Sequence, residues 1–153
     1  SLKHFSDDLK PDSPIFRSSI MKAKCLCGNV SLEVEHDKHV HACHCGMCRT
    51  WGSGATFSLI AAKPPKIDGE ANIARYHSSE WAERAFCKNC GTHLFYHFLP
   101  NDSYFVFAGL FADNADFKLE EQIFIDAKAP YYELANDTPK LTEEEFLAQF
   151  GGE

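Results

Sequence analysis

No run within the 153 residues is long and apolar enough to span a bilayer as a helix. A dense Lys/Arg stretch is also lacking, and the net charge is −7, which disfavours binding to a nucleic-acid backbone. The first twenty residues lack the apolar core of a secretory signal and are polar instead, with Asp7, Asp8, Lys10 and Asp12. Low-complexity tracts are absent, and the only internal similarity lies among short cysteine segments. These absences lead us to expect a soluble protein in a reducing, cytoplasmic compartment, with neither membrane nor nucleic acid as partner.

What the chain does have is patterned cysteine. Seven cysteines form three blocks: Cys25-x-Cys27, Cys43-x-Cys45-x-x-Cys48 and Cys87-x-x-Cys90. Seven divides into four plus three. A structural zinc site is closed by four protein ligands, whereas a catalytic one keeps three and an open position. In Cys87-Lys88-Asn89-Cys90-Gly91, two thiols flank a tight turn and the glycine can leave it at positive φ. Cys25 and Cys27, with Gly28 behind them, can complete a four-sulfur set. Cys43 and Cys45 alternate to one side of an extended segment, and Cys48 can fold back through Gly46 to close a three-sulfur cup.

Other readings of the cysteines stand beside this one. Cys-x-x-Cys also occurs as a redox pair or a disulfide, although full pairing of seven would leave one thiol over. A single zinc is another alternative. His41 and His44 flank the cup and could compete as ligands; the alternation turns His44 away from Cys43 and Cys45, toward a supporting or exposed position. The remaining histidines have no ligand spacing.

The organisation reads as an N-terminal arm over residues 1–21, polar and carrying Pro11 and Pro14, followed by one domain over residues 22–153. That domain reads mostly as strands. Val30 to Glu35 alternates apolar and polar. Further strands are expected at Ala55–Ala62, Asn72–His77, Ala82–Phe86, His93–Phe98, Tyr104–Ala108 and Gln122–Ile125. The last segment reads as a helix, with Thr142 and Glu145 forming a capping box and Leu141 and Phe146 a hydrophobic staple. Glu143, Glu144 and Glu145 suit the positive end of that helix, so they read as a helix start and not as paired catalytic carboxylates. The fold class is therefore mainly β: antiparallel strands with metal knuckles between them and one short C-terminal helix.

Three segments together carry a family resemblance: Cys25-Leu26-Cys27-Gly28-Asn29-Val30, Cys43-His44-Cys45-Gly46-Met47-Cys48-Arg49, and Arg84-Ala85-Phe86-Cys87-Lys88-Asn89-Cys90-Gly91-Thr92. With Gly69-Glu70, Tyr76-His77-Ser78-Ser79 and the segment from Phe124 to Tyr132, the chain resembles the glutathione-dependent formaldehyde-activating enzyme family, which includes centromere protein V. The likeness covers roughly residues 22 to 135. It implies a β-tent fold of small antiparallel sheets. It implies two zincs: a structural one on Cys25, Cys27, Cys87 and Cys90, and a more labile one on Cys43, Cys45 and Cys48. It also implies a carbon–sulfur lyase activity that joins glutathione and formaldehyde into S-hydroxymethylglutathione, or the reverse. The chain departs from the family where Arg49 is followed by Thr50 and over Gly109 to Asp113, and both positions bear on substrate recognition.

The expected chemistry follows from an open three-cysteine cup. A small thiol fills the vacant position as thiolate and attacks an aldehyde carbon. Cys43, Cys45 and Cys48 are then the catalytic metal ligands. His44, Tyr76 and Ser79 are candidates to donate the proton that the new alkoxide needs. Arg49 and Arg84 are candidates for binding peptide carboxylates, or else ordinary surface or structural ion pairs. Two other functions compete with the enzyme: a non-catalytic zinc module that binds a protein or a thiol, and a redox or metal-buffering protein.

Overall fold

The computed structural model describes residues 19–151. Eleven strands form two sheets. The smaller sheet has the order β1-β2-β5, from Ser19–Lys24, Ser31–His36 and Lys66–Asp68, and both of its pairings are antiparallel. The expected alternation in β2 is realised: Leu32, Val34 and His36 are buried while Glu33 faces solvent.

The larger sheet has eight strands. In chain order they are β3 (His39–Cys43), β4 (Thr56–Ile60), β6 (Ile73–Ser79), β7 (Ala82–Cys87), β8 (His93–Phe98), β9 (Ser103–Phe107), β10 (Lys118–Ile123) and β11 (Lys140–Leu141). Its order is β11-β10-β3-β4-β9-β8-β7-β6. The strands from β3 to β6 in that order pair antiparallel, but β10 runs parallel to both β3 and β11. The architecture is mainly β, as the sequence indicates, with a mixed larger sheet where antiparallel pairing alone was expected. The parallel pairs arise because the chain crosses over between β9 and β10, and again between β10 and β11, without a hairpin return.

One face of the larger sheet packs on the smaller sheet. Leu32, Val34, Leu59, Leu94, Phe95, Val106 and Phe111 are almost wholly excluded from water there. Burying each such side chain contributes roughly 1.5–3 kcal/mol. The first strand crosses the boundary expected between residues 21 and 22: Met21 packs against the core and Ala23 lies within it. Residues 1–18 of the expected arm lie outside the described residues.

Two helices are present among the described residues, one more than expected. Helix α1 (Gly46–Gly52) occupies the place where a simple turn was read. Helix α2 (Glu143–Gly151) starts as predicted. Glu145 N–H donates to Thr142 Oγ1 at 3.1 Å, and Thr142 N–H donates to Glu145 Oε1 at 2.8 Å, the two halves of a capping box. No helix among the described residues is long and apolar enough to cross a membrane.

Candidate functional site

The seven cysteines gather into two clusters, Cys25 with Cys27, Cys87 and Cys90, and Cys43 with Cys45 and Cys48. Within each cluster the sulfurs lie within 4.8 Å of one another. All seven are free thiols, so the disulfide reading does not hold here.

The four-sulfur cluster is built on two turns. Cys25 follows β1, and Gly28 N–H donates to Cys25 O at 3.1 Å; Cys87 ends β7, and Gly91 N–H donates to Cys87 O at 2.9 Å. Both glycines have positive φ, 82° and 77°, as the turn chemistry requires. The cluster therefore ties the end of β1 in the small sheet to the β7–β8 turn, near the β6 edge of the large one. Its sulfurs are separated by 3.6 Å (Cys25–Cys27) and 3.7 Å (Cys27–Cys87). A tetrahedron with zinc–sulfur bonds of about 2.3 Å has edges near 3.8 Å, so these separations suit zinc.

Outer groups steady these sulfurs. Val30 N–H donates to Cys25 Sγ at 3.4 Å, and Thr92 Oγ1 lies 3.1 Å from Cys90 Sγ while accepting from Leu26 N–H. The Thr92 hydroxyl and backbone draw the Cys90 thiol down to about 5. Asn89 and the Asn29 backbone lower that of Cys27. Nothing in the cysteine spacing announced Thr92, although it stands two residues after Cys90.

The three-sulfur cup joins a strand end to a helix start. Cys43 is the last residue of β3, opposite Thr56 of β4. Cys45 is the N-cap of α1, and its sulfur accepts Cys48 N–H at 3.3 Å, a role usually filled by serine or aspartate. Cys48 lies in the first turn and is buried. Hydrogen bonding to Cys45 and Cys48, with burial, pushes the Cys43 thiol well above its ordinary range. Hydrogen bonding to Cys43 and Cys45, with help from Thr56 and the Arg84 guanidinium, pulls Cys48 down to about 2. Three sulfurs this close cannot all be thiolates without a cation among them. An all-sulfur donor set is soft and suits zinc.

Arg84 is 3% exposed, and both of its terminal nitrogens stand 3.9 Å from Cys48 Sγ. It is therefore not a surface ion pair. Arg49 is exposed and donates to Ala127 O at 3.0 Å. His44 is buried, turned away from the sulfurs as the alternation indicates. Its Nε2–H donates to Gln122 Oε1 at 2.8 Å, an oxygen that only accepts, and Nδ1 lies 2.9 Å from the Tyr132 hydroxyl. Both ring nitrogens are thus engaged. His41 faces Glu121 across the parallel pair, its Nδ1 3.6 Å from a carboxylate oxygen. Ser79 Oγ is buried at the end of β6, and Tyr76 is 58% exposed on the same strand.

Tyr76 belongs to an open aromatic depression of about 510 Å³, lined by Trp51, Arg75, Phe86, Gly91 and His93 besides itself. Trp51 stacks on His93 at 4.4 Å. Trp51 lies one helical turn beyond Cys48, and Phe86 lies two residues beyond Arg84, so the depression adjoins the cup. Trp51, Tyr132 and Gln122 carry no ligand spacing, and Gln122 and Tyr132 lie 78 and 88 residues from His44, the side chain they hold.

Comparison with known proteins agrees with this geometry. An uncharacterized lyase of Schizosaccharomyces pombe is 33% identical over 128 residues, covering 82% of this chain and 93% of that protein. A Podospora anserina protein named for glutathione-dependent formaldehyde activation is 34% identical over 95 residues, which cover 57% of this chain and 43% of that longer protein. The crystal structure of a Rhodobacter sphaeroides protein superimposes with a TM-score of 0.53 at 25% identity, over 61% of this chain and 89% of that one. Residues 20–127 match the family described as glutathione-dependent formaldehyde-activating enzyme, and the chain belongs to that family.

Proposed function

We propose that this protein is a zinc-dependent carbon–sulfur lyase that adds a small thiol of the glutathione type to a small aldehyde such as formaldehyde, or catalyses the reverse cleavage. The observation that carries the reading is the convergence of exactly one open set, Cys43, Cys45 and Cys48, with no fourth His, Cys, Asp or Glu among the described residues. Family membership and the lyase name of the Schizosaccharomyces pombe relative support the reaction class. On this reading Cys25, Cys27, Cys87 and Cys90 hold a structural zinc, and the cup holds a second, more labile one.

Zinc in the cup would supply an open coordination position at which a thiol is bound and deprotonated. The chain's own residues do the rest. Cys43, Cys45 and Cys48 fix that position from a strand end and a helix start, two rigid elements. The flanking aromatic depression gives the substrates room beside the cup. In the net reaction a carbon–sulfur bond forms at the aldehyde carbon, and the thiol's proton ends on the aldehyde oxygen.

The test combines zinc per chain, by elemental analysis under reducing conditions, with nuclear magnetic resonance exchange of labelled formaldehyde with glutathione. Two zincs and accelerated exchange that Cys45→Ser abolishes are expected. A zinc content that stays at one, with exchange no faster than without protein, overturns the proposal and favours a non-catalytic zinc module.

A further inference from the structure

Arg84 is the only lysine or arginine buried among the described residues. It sits in the middle of β7, between Tyr76 of β6 and Tyr96 of β8 in the strand register. Its guanidinium lies over the Tyr96 ring at 5.1 Å, and its Nε is buried without a partner. Among the described residues, the ion pairs formed by lysines and arginines involve Lys38, Lys63, Arg75 and Lys128, and no carboxylate pairs with Arg84. A buried cation is costly without an anion beside it. The anion available is sulfur: the two terminal nitrogens straddle Cys48 Sγ at equal distances of 3.9 Å.

We propose that Arg84 is the fixed counter-charge of the three-sulfur cup and makes it select an anionic thiolate, over a neutral ligand, at its open position. The inference rests on the cup being a metal site. Three thiolates around a divalent cation carry one net negative charge, which repels a further thiolate and favours a neutral ligand such as water or imidazole. The guanidinium cancels that charge from inside the protein, where water does not screen it. The planar fork also holds Cys48 Sγ in one orientation, which a lysine could do only as a point charge. Tyr96 closes the opposite side of the guanidinium and holds it in place by a cation–π contact. Arg84 is thus a positioning residue that acts through Cys48.

Cobalt(II) makes the proposal measurable without activity, since sulfur-to-cobalt charge-transfer absorption reports ligands at each site. Wild type, R84Q, R84M and R84K are loaded with cobalt and titrated with glutathione, 2-mercaptoethanol and, as a neutral ligand, imidazole. In R84Q the cup is expected to hold cobalt about 10- to 100-fold more weakly, the range for loss of an outer-sphere partner, while the four-sulfur cluster is unchanged. Both thiols are expected to bind at least about tenfold more weakly to the loaded cup with imidazole binding undiminished, and R84K should restore part of the thiol affinity. If R84Q does not fold, R84M carries the same test, because an apolar side chain of similar length suits the buried position. Thiol binding unchanged in the variants overturns the proposal. So does an equal weakening of thiols and imidazole, which would mean that Arg84 only supports the packing. A wild-type chain that takes a single cobalt sinks the metal reading of the cup, and this inference with it. Two cobalts in wild type with unchanged variants sinks the role of Arg84 alone.

Discussion

The two cysteine clusters use the same ligand atom for different ends. The four-sulfur cluster is made from two glycine-ended turns and draws a strand of each sheet together. Its outer partners are neutral: backbone N–H groups and the Thr92 hydroxyl. The three-sulfur cup is made from a strand end and a helix start, both within one sheet's neighbourhood, and its outer partners are the Thr56 hydroxyl and a buried cation. The first arrangement joins two sheets that also share a buried core. The second, on the proposed function, leaves a position for a ligand. The two thiol clusters therefore differ in what stands behind the sulfurs.

The largest effect should come from the joining cluster. Cys87→Ser is expected to abolish cooperative folding at 37 °C, read as loss of the thermal transition by circular dichroism, because structural zinc commonly contributes on the order of 10 kcal/mol. A folded Cys87→Ser protein would erase the distinction between the clusters. Cys45→Ser should leave the fold intact and remove only the labile metal, with thiol–aldehyde turnover falling at least about 100-fold. Serine can take over the N-cap of α1 from the sulfur, so no loss of helix stability is expected alongside.

The same contrast governs what the sequence disclosed. Both clusters were legible because ligand spacing is local: the knuckle glycines, the four-plus-three division and the capping box at Thr142 and Glu145 all lie within a few residues. The strand His93–Phe98 was read to the residue. Helix α1 was not, because seven residues with glycine at both ends show no apolar stripe and the N-cap is a cysteine. The strand Ser19–Lys24 was hidden because only Ala23 is fully buried in it. The last strand of the reading, Gln122–Ile125, begins earlier in the structure, at Lys118, and ends at Ile123 because Phe124 turns to φ 55°. Its parallel pairing with β3 is a long-range choice that no local pattern encodes. Arg84 stands next to Glu83 in sequence, but consecutive strand residues point to opposite faces, and its partner Cys48 is 36 residues away.

A finer probe concerns the ground on which the joining cluster stands. Gly69 has φ +91°, and a Cβ there would meet Asn29 O at 2.1 Å. Asn29 follows the Gly28 knuckle, and Asn72 braces it by donating Nδ2–H to Asn29 O and accepting Lys88 N–H at its own carbonyl. Gly69→Ala should therefore destabilise by about 2–4 kcal/mol in urea unfolding, combining backbone strain with a contact that cannot relax cheaply. Zinc should leave the four-sulfur cluster faster in a chelator assay, with release from the cup unchanged. Gly28→Ala is the control, since its φ is similarly positive at 82° but a Cβ there meets nothing within 4 Å. Only the backbone cost, about 1–2 kcal/mol, should appear.

The smallest effect separates the metal clusters from the frame that carries them. His36 ends β2, wholly buried, with Nδ1 accepting Lys38 N–H at 3.0 Å and its ring edge-on to Phe111 and Phe117. Burial pulls its pKa down from 6.5 to about 4. Between those values the unfolded chain binds the proton more readily than the folded one, so stability contributed by neutral His36 is complete above about pH 6.5 and is lost as pH falls toward 4. The shift corresponds to about 1–3 kcal/mol once partial screening is allowed for. Thiolates of a zinc-loaded cluster also take up protons in acid, so wild type alone cannot divide the loss between clusters and frame. His36→Gln removes the imidazole's share while leaving every cysteine in place. The gap between the unfolding free energies of the variant and wild type should shift in favour of the variant by about 1–3 kcal/mol from pH 7 to pH 4. A constant gap would remove His36 from the acid sensitivity and leave it to the cysteine clusters and to carboxylates such as Asp37.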